Sequence, residues 1–145
     1  MNHAIVGKTQ HGEISLDKLA EIQPGMARIM DEVAKRYYYL FYAAKEGNWH
    51  LAEHELNEVS AAMRIAKTTR PKYAEDLTQF EEEYLKPIEE AIREKNWTKF
   101  EQVYKRGMEG SDRYHDKYGY SYIRFILPHE PPAHLWVKRP QDLKR

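Results

Sequence analysis

The stretches KEGNWHLAEHEL (Lys45 to Leu56) and REKNWTKFEQVY (Arg93 to Tyr104) are two passes of one pattern. Asn48-Trp49 aligns with Asn96-Trp97, and the same shift sets Leu40 on Ile88, Ala44 on Ile92, Ala52 on Phe100 and Leu56 on Tyr104. Apolar positions fall on apolar positions on both sides of the Asn-Trp pair, so the repeated unit is a helix, a break and a second helix. One such hairpin leaves its apolar stripe in water, and two can close on each other. The predicted fold class is therefore all-α, an antiparallel four-helix bundle made of two αα-hairpins. A tandem solenoid is the alternative, but solenoids usually need three or more repeats and only two are present here.

Working outward, Met26, Ile29, Met30, Val33, Tyr37, Leu40, Phe41 and Ala44 recur at steps of three and four and make one helical stripe, interrupted at Gly47-Asn48. Ala52, Leu56, Val59, Met63 and Ala66 make the second, which stops before Arg70-Pro71. The third runs through Leu77, Phe80, Tyr84, Ile88, Ala91 and Ile92, with a bend expected at Pro87. Asn96 caps the fourth, whose face is Phe100, Val103, Tyr104, Gly107, Ser111, Tyr114 and Tyr118. Ser15 caps a short preceding helix that ends at Pro24-Gly25. The chain reads as a single domain over residues 1–145, with a flexible lead at 1–14 and an irregular tail at 119–145. That tail is too apolar to stay solvated and too rich in proline for a long helix, so it is expected to pack on one end of the bundle or to reach over a second subunit.

Composition removes several functions. Lys plus Arg (23) balances Asp plus Glu (23), which leaves no field to draw nucleic acid. There is no cysteine, hence no disulfide, thiolate metal site, thiol nucleophile or c-type haem attachment. The first residues lack a basic head followed by an apolar run, and no later window resembles a membrane span, so a cytoplasmic protein is expected. No phosphate loop, nucleotide fingerprint or serine-hydrolase elbow occurs. His50 and His54 have metal-ligand spacing, yet they fall opposite the Ala52, Leu56, Val59 stripe and read as a solvated face. Two inward Glu-x-x-His pairs, as a di-iron bundle requires, are missing.

What remains is a polar set on apolar stripes. Arg36 and Glu55 stand at the edges of the first two stripes and form either an ordinary interhelical ion pair or part of a polar island with Tyr37 and His115. Tyr37, Tyr84, Tyr104, Tyr114 and Tyr118 all lie on inward faces, either as core or with hydroxyls toward a ligand. Tyr38, Tyr39 and Tyr42 point partly outward, which suits a subunit interface and a homodimer.

The ordered set GNWHLAEHELNEV, Arg70-Pro71, a second Asn-Trp with Phe100, a segment ending in His115, and YIRFILP followed by Pro131-Pro132 resembles a group of small bacterial four-helix cytochromes with c-type haem. The likeness covers about residues 22–136. In that family the last helix carries Cys-x-x-Cys-His, whose thiols hold the haem and whose histidine ligates the iron. Here Ser111 and Tyr114 stand where the thiols would be and His115 where the ligand would be. The resemblance thus implies a relative that kept the bundle and changed its contents. Three readings follow: a pocket for a small organic molecule, lined by Arg36, Tyr37, Glu55, Tyr84, Tyr104, Ser111, Tyr114, His115 and Tyr118; a closed core serving as an interaction module; or non-covalent haem on His115. If the pocket is catalytic, His115 or Glu55 would move protons, Arg36 would hold an anion and a phenol would stabilise negative charge, as in isomerase or lyase chemistry.

Overall fold

The computed structural model describes residues 5–144 and is mainly helical. In chain order it contains β1 (Val6–Thr9), β2 (Gly12–Ser15), α1 (Leu16–Ile22), α2 (Met26–Lys45), α3 (Trp49–Thr69), α4 (Ala74–Phe80), α5 (Lys86–Arg93) and α6 (Trp97–Lys117). One core joins the long helices: Leu40 and Ala44 of α2, Ala52, Leu56 and Val59 of α3, Ile88 and Ala91 of α5, and Phe100 and Tyr104 of α6 are all buried together. A second, smaller cluster of Ile29, Ala62 and Ala66 lies between α2 and α3, so the apolar stripes divide between two buried groups. No helix among the described residues is long and apolar enough to cross a membrane.

The two Asn-Trp breaks are the same turn. At the end of α2 the Gly47 N–H donates to the Ala44 carbonyl and Asn48 N–H to Ala43; at the end of α5 Lys95 N–H donates to Ile92 and Asn96 N–H to Ala91. This is the doubled bond pattern that closes a helix around a left-handed residue. Gly47 holds φ +76 in the first turn and Lys95 holds φ +52 in the second. Each asparagine then caps the next helix, its Oδ1 accepting from Leu51 N–H at 3.1 Å and from Lys99 N–H at 3.0 Å.

Pro87 lies inside the first turn of α5, directly after a wide π-helical turn over Glu81–Leu85. Proline donates no hydrogen bond and crowds the turn before it, so the ladder widens there instead of breaking. Two glycines of α6 let neighbouring rings approach its backbone. A methyl group on Gly107 would collide with the Tyr37 hydroxyl, and one on Gly110 with the body of the Tyr84 ring.

Two expectations need correction. The lead is not wholly flexible: β1 and β2 pair antiparallel from Val6 opposite Ser15 to Thr9 opposite Gly12, a turn that Gly12 permits with φ +122. Residues 1–4 of that lead lie outside the described residues. The tyrosines expected at a subunit interface serve the chain's own tail instead. Tyr39 and Tyr42 are buried. Tyr38 donates to the Glu130 carbonyl and Tyr42 to the Pro128 carbonyl, each at 2.6 Å, and Tyr39 Oη meets His134 Nε2 at 2.6 Å. The tail follows a row of phenols on α2, where backbone carbonyls supply the acceptors that half-buried hydroxyls require.

Candidate functional site

α6 ends in a third turn of the same type. Gly119, at φ +81, and Tyr120 close it, donating to the carbonyls of Asp116 and His115 at 3.1 and 2.7 Å. The turn reverses the chain and sends residues 120–126 back beside the end of α6. There they complete the wall of a cavity of about 570 Å³. α2 contributes Met26, Met30 and Val33, α3 contributes Val59 and Met63, α4 contributes Leu77 and Phe80, and the tail contributes Ile123, Phe125 and Ile126. Met108, Ser111, Tyr114 and His115 line it from α6.

Every methionine after residue 1 (Met26, Met30, Met63 and Met108) borders this space. Thioether side chains are unbranched and polarizable, so a wall built from them adapts to varied apolar shapes.

Polar groups interrupt the apolar wall. Asp76 accepts from the Tyr118 hydroxyl and from Lys117 Nζ at 3.0 Å. These two donors hold its carboxyl below the usual range. Arg124 lies on the rim, but its guanidinium is engaged by Asp116 and Asp112. Asp31 is exposed beside the opening. Tyr114 is half-buried with its ring edge-on to Phe80 at 5.9 Å, and its phenol is pushed up chiefly by burial. His115 is half-buried, and its Nδ1 is shut off from solvent with no hydrogen-bond partner.

Of the residues singled out in the sequence, Tyr37, Ser111, Tyr114, His115 and Tyr118 come together around the cavity. The other four do not line it. Tyr84 is buried against Gly110, with the Arg113 guanidinium 5.3 Å from its ring centre. Tyr104 is fully buried and stacks on Tyr37, ring centres 4.0 Å apart and planes within 8°. Arg36 and Glu55 form an ion pair at 3.3 Å between α2 and α3, with Glu32 taking the Arg36 Nε at 2.8 Å. Burial pushes the Glu55 carboxyl up, and Arg36 only partly offsets this. His115 therefore has neither Arg36 nor Glu55 as a partner across the cavity, and no group of three or more His, Asp or Glu among the described residues could hold a metal.

Sequence reasoning missed Met108, Asp31, Asp76 and Arg124 as wall residues. The clustering of methionines on three helices was the available signal. No family model, curated protein or solved structure matches the chain.

Proposed function

We propose that this protein is an antiparallel four-helix bundle that binds one small, predominantly apolar organic molecule in the cavity at the end where α6 meets the tail. The observation that carries the reading is the cavity itself: about 570 Å³, open to solvent on one side and walled by four methionines, aliphatic side chains and aromatic rings, with polar groups interspersed. Binding sites for small molecules have this size and this kind of lining. Binding, not turnover, is the function proposed, because the ion pair that would have assisted His115 does not line the cavity.

Non-covalent haem is the competing occupant, favoured by His115 and the four thioethers around the cavity. Two features weigh against it. A histidine that ligates iron normally donates its other ring nitrogen to an acceptor, and His115 Nδ1 has none. The rim cation Arg124, which would meet the propionates, is already paired with Asp116. The protein's kinship to the cytochromes belongs to the same proposal and concerns the bundle alone.

A thermal-shift screen against aromatic, terpenoid and polyphenol compounds tests the reading. A bound ligand raises the melting temperature with concentration by mass action. Ser111→Trp, which places an indole in the cavity, is expected to abolish that rise. A rise unchanged in Ser111→Trp, or an absorption band of bound haem on reconstitution, would overturn the assignment.

A further inference from the structure

We infer that residues 5–22 form a hinged arm that closes over the open side of the cavity and holds the bound molecule in. This rests on the reading of the cavity as a binding site and says how that site is shut. The arm is not tied to the bundle. Among the described residues, every hydrogen bond and ion pair made by residues 5–22 stays within the arm, from the Leu16 N–H on the Ile5 carbonyl at 3.1 Å to Lys8 with Glu13 and Lys18 with Glu21. None of these residues belongs to either buried group or to the cavity wall, and α1 buries no residue at all. A segment whose contacts are internal moves as a unit about its connection, here Gln23-Pro24-Gly25 between α1 and α2.

The apolar residues of the arm fit that movement. Leu16, Leu19 and Ile22 recur every third residue and share one side of α1. Leu19 lies over Gly7 of β1, while Leu16 and Ile22 beside it are 55% and 63% exposed. Exposed apolar side chains gather a second time at the cavity, where the wall residues Ile126, Ile123, Tyr120 and Tyr118 are open to water. Apolar surface clustered in this way marks a place of contact. The connection sets which contact is within reach. Four Cα steps from Ile22 to Met26 span at most about 14 Å, Met26 is itself part of the wall, and Ala27 and Asp31 just after it are exposed wall residues. α2 thus begins at the opening, with the arm tethered beside it. A tether this short gives α1 a high effective concentration at the cavity of its own chain, which favours that cavity over the same site on a second copy. Closure buries both apolar surfaces at once, with the ligand between them.

The test uses the full chain and N-phenyl-1-naphthylamine, a neutral probe that fluoresces in apolar surroundings. The protein has no cysteine, so spin labels can be attached at Ala20→Cys on the arm and Tyr122→Cys beside the opening, both exposed positions outside the wall. Probe binding is expected to shorten the distance between the labels, and the shortening should persist when labelled protein is diluted into unlabelled protein. Leu16→Ser with Ile22→Ser is expected to release the probe about tenfold faster at equal helicity, and Leu16→Met with Ile22→Met to release it at the parent's rate. With the probe bound, an unchanged distance, a shortening lost on dilution, or an unchanged release rate in the serine variant would overturn the arm's role while leaving the cavity reading in place. No binding of the probe by the folded parent would overturn both.

Discussion

Tyr37 and Tyr104 hold each other by the backbone. The Tyr37 hydroxyl donates to the Tyr104 carbonyl at 2.6 Å, and the Tyr104 hydroxyl donates to the Tyr37 carbonyl at 2.8 Å. The stacked rings thus tie α2 to α6 beside the cavity. Burial pushes both phenols far above their ordinary range. In the unfolded chain they ionise near 10, so their contribution is fully present below that pH and is lost as pH rises above it. Removing either hydroxyl as Tyr37→Phe or Tyr104→Phe leaves the other's bond intact and should cost about 1–2 kcal/mol. Each change should also reduce the steepness of alkaline destabilisation above pH 10 by up to about 1.4 kcal/mol per pH unit. Urea unfolding from pH 8 to 11 measures both effects; an unchanged slope would show that these phenols ionise in the folded protein.

Lys95 occupies the position that Gly47 holds in the equivalent turn, at φ +52. A side chain there bears left-handed strain that glycine avoids. Lys95→Gly is expected to stabilise the protein by about 0.5–1 kcal/mol, less than the full strain because glycine also loosens the unfolded chain. The reverse exchange, Gly47→Lys, should destabilise by a similar amount. Denaturant midpoints of the two variants, moving in opposite directions, check the equivalence of the turns.

Gly110 behaves differently, because the atoms in the way are the rigid ring of Tyr84. Alanine improves helix propensity by about 1 kcal/mol, yet the overpacking it causes here is expected to win. Gly110→Ala should lose about 1–3 kcal/mol overall. The double variant Gly110→Ala with Tyr84→Leu should recover part of that loss, a coupling a thermodynamic cycle reads directly.

Glu55 is buried, whereas its partner Arg36 is a quarter exposed and keeps Glu32. The raised folded-state value of Glu55 means that its contribution is fully present below pH 4.5 and is lost as pH climbs through that value. Glu55→Gln is therefore expected to be at least as stable as the parent at pH 7 and relatively less favoured at pH 4. Unfolding midpoints at the two pH values decide the matter: a loss above about 1 kcal/mol at pH 7 would mean that attraction to Arg36 outweighs burial.

The helical core was legible because it is periodic. The Asn-Trp repeat marks two turns of one geometry, and the residues it aligns, Leu40 with Ile88 and Ala52 with Phe100, are all fully buried. The N-terminal hairpin was not legible, since strands of four residues with lysine, threonine and glutamate carry no apolar alternation. The tail was expected to pack on the bundle, but its exact path was not legible: Tyr38 and Tyr42 choose carbonyls of Glu130 and Pro128, which any sequence provides. Gly107 and Gly110 did carry a signal, for glycine in a helix interior is unfavourable unless something approaches closely. The cavity draws on four helices and the tail, so its wall is a property of tertiary structure, and Arg36 with Glu55, adjacent to its residues in the pattern, form a separate pair.

The most direct measurement is calorimetric titration of an apolar aromatic ligand into the protein and into Ser111→Trp, with helicity of both followed by circular dichroism. The account predicts saturable binding of one molecule per chain to the parent and none to the variant at equal helicity. Absence of saturable binding to the parent, or equal affinity in the variant, would contradict it.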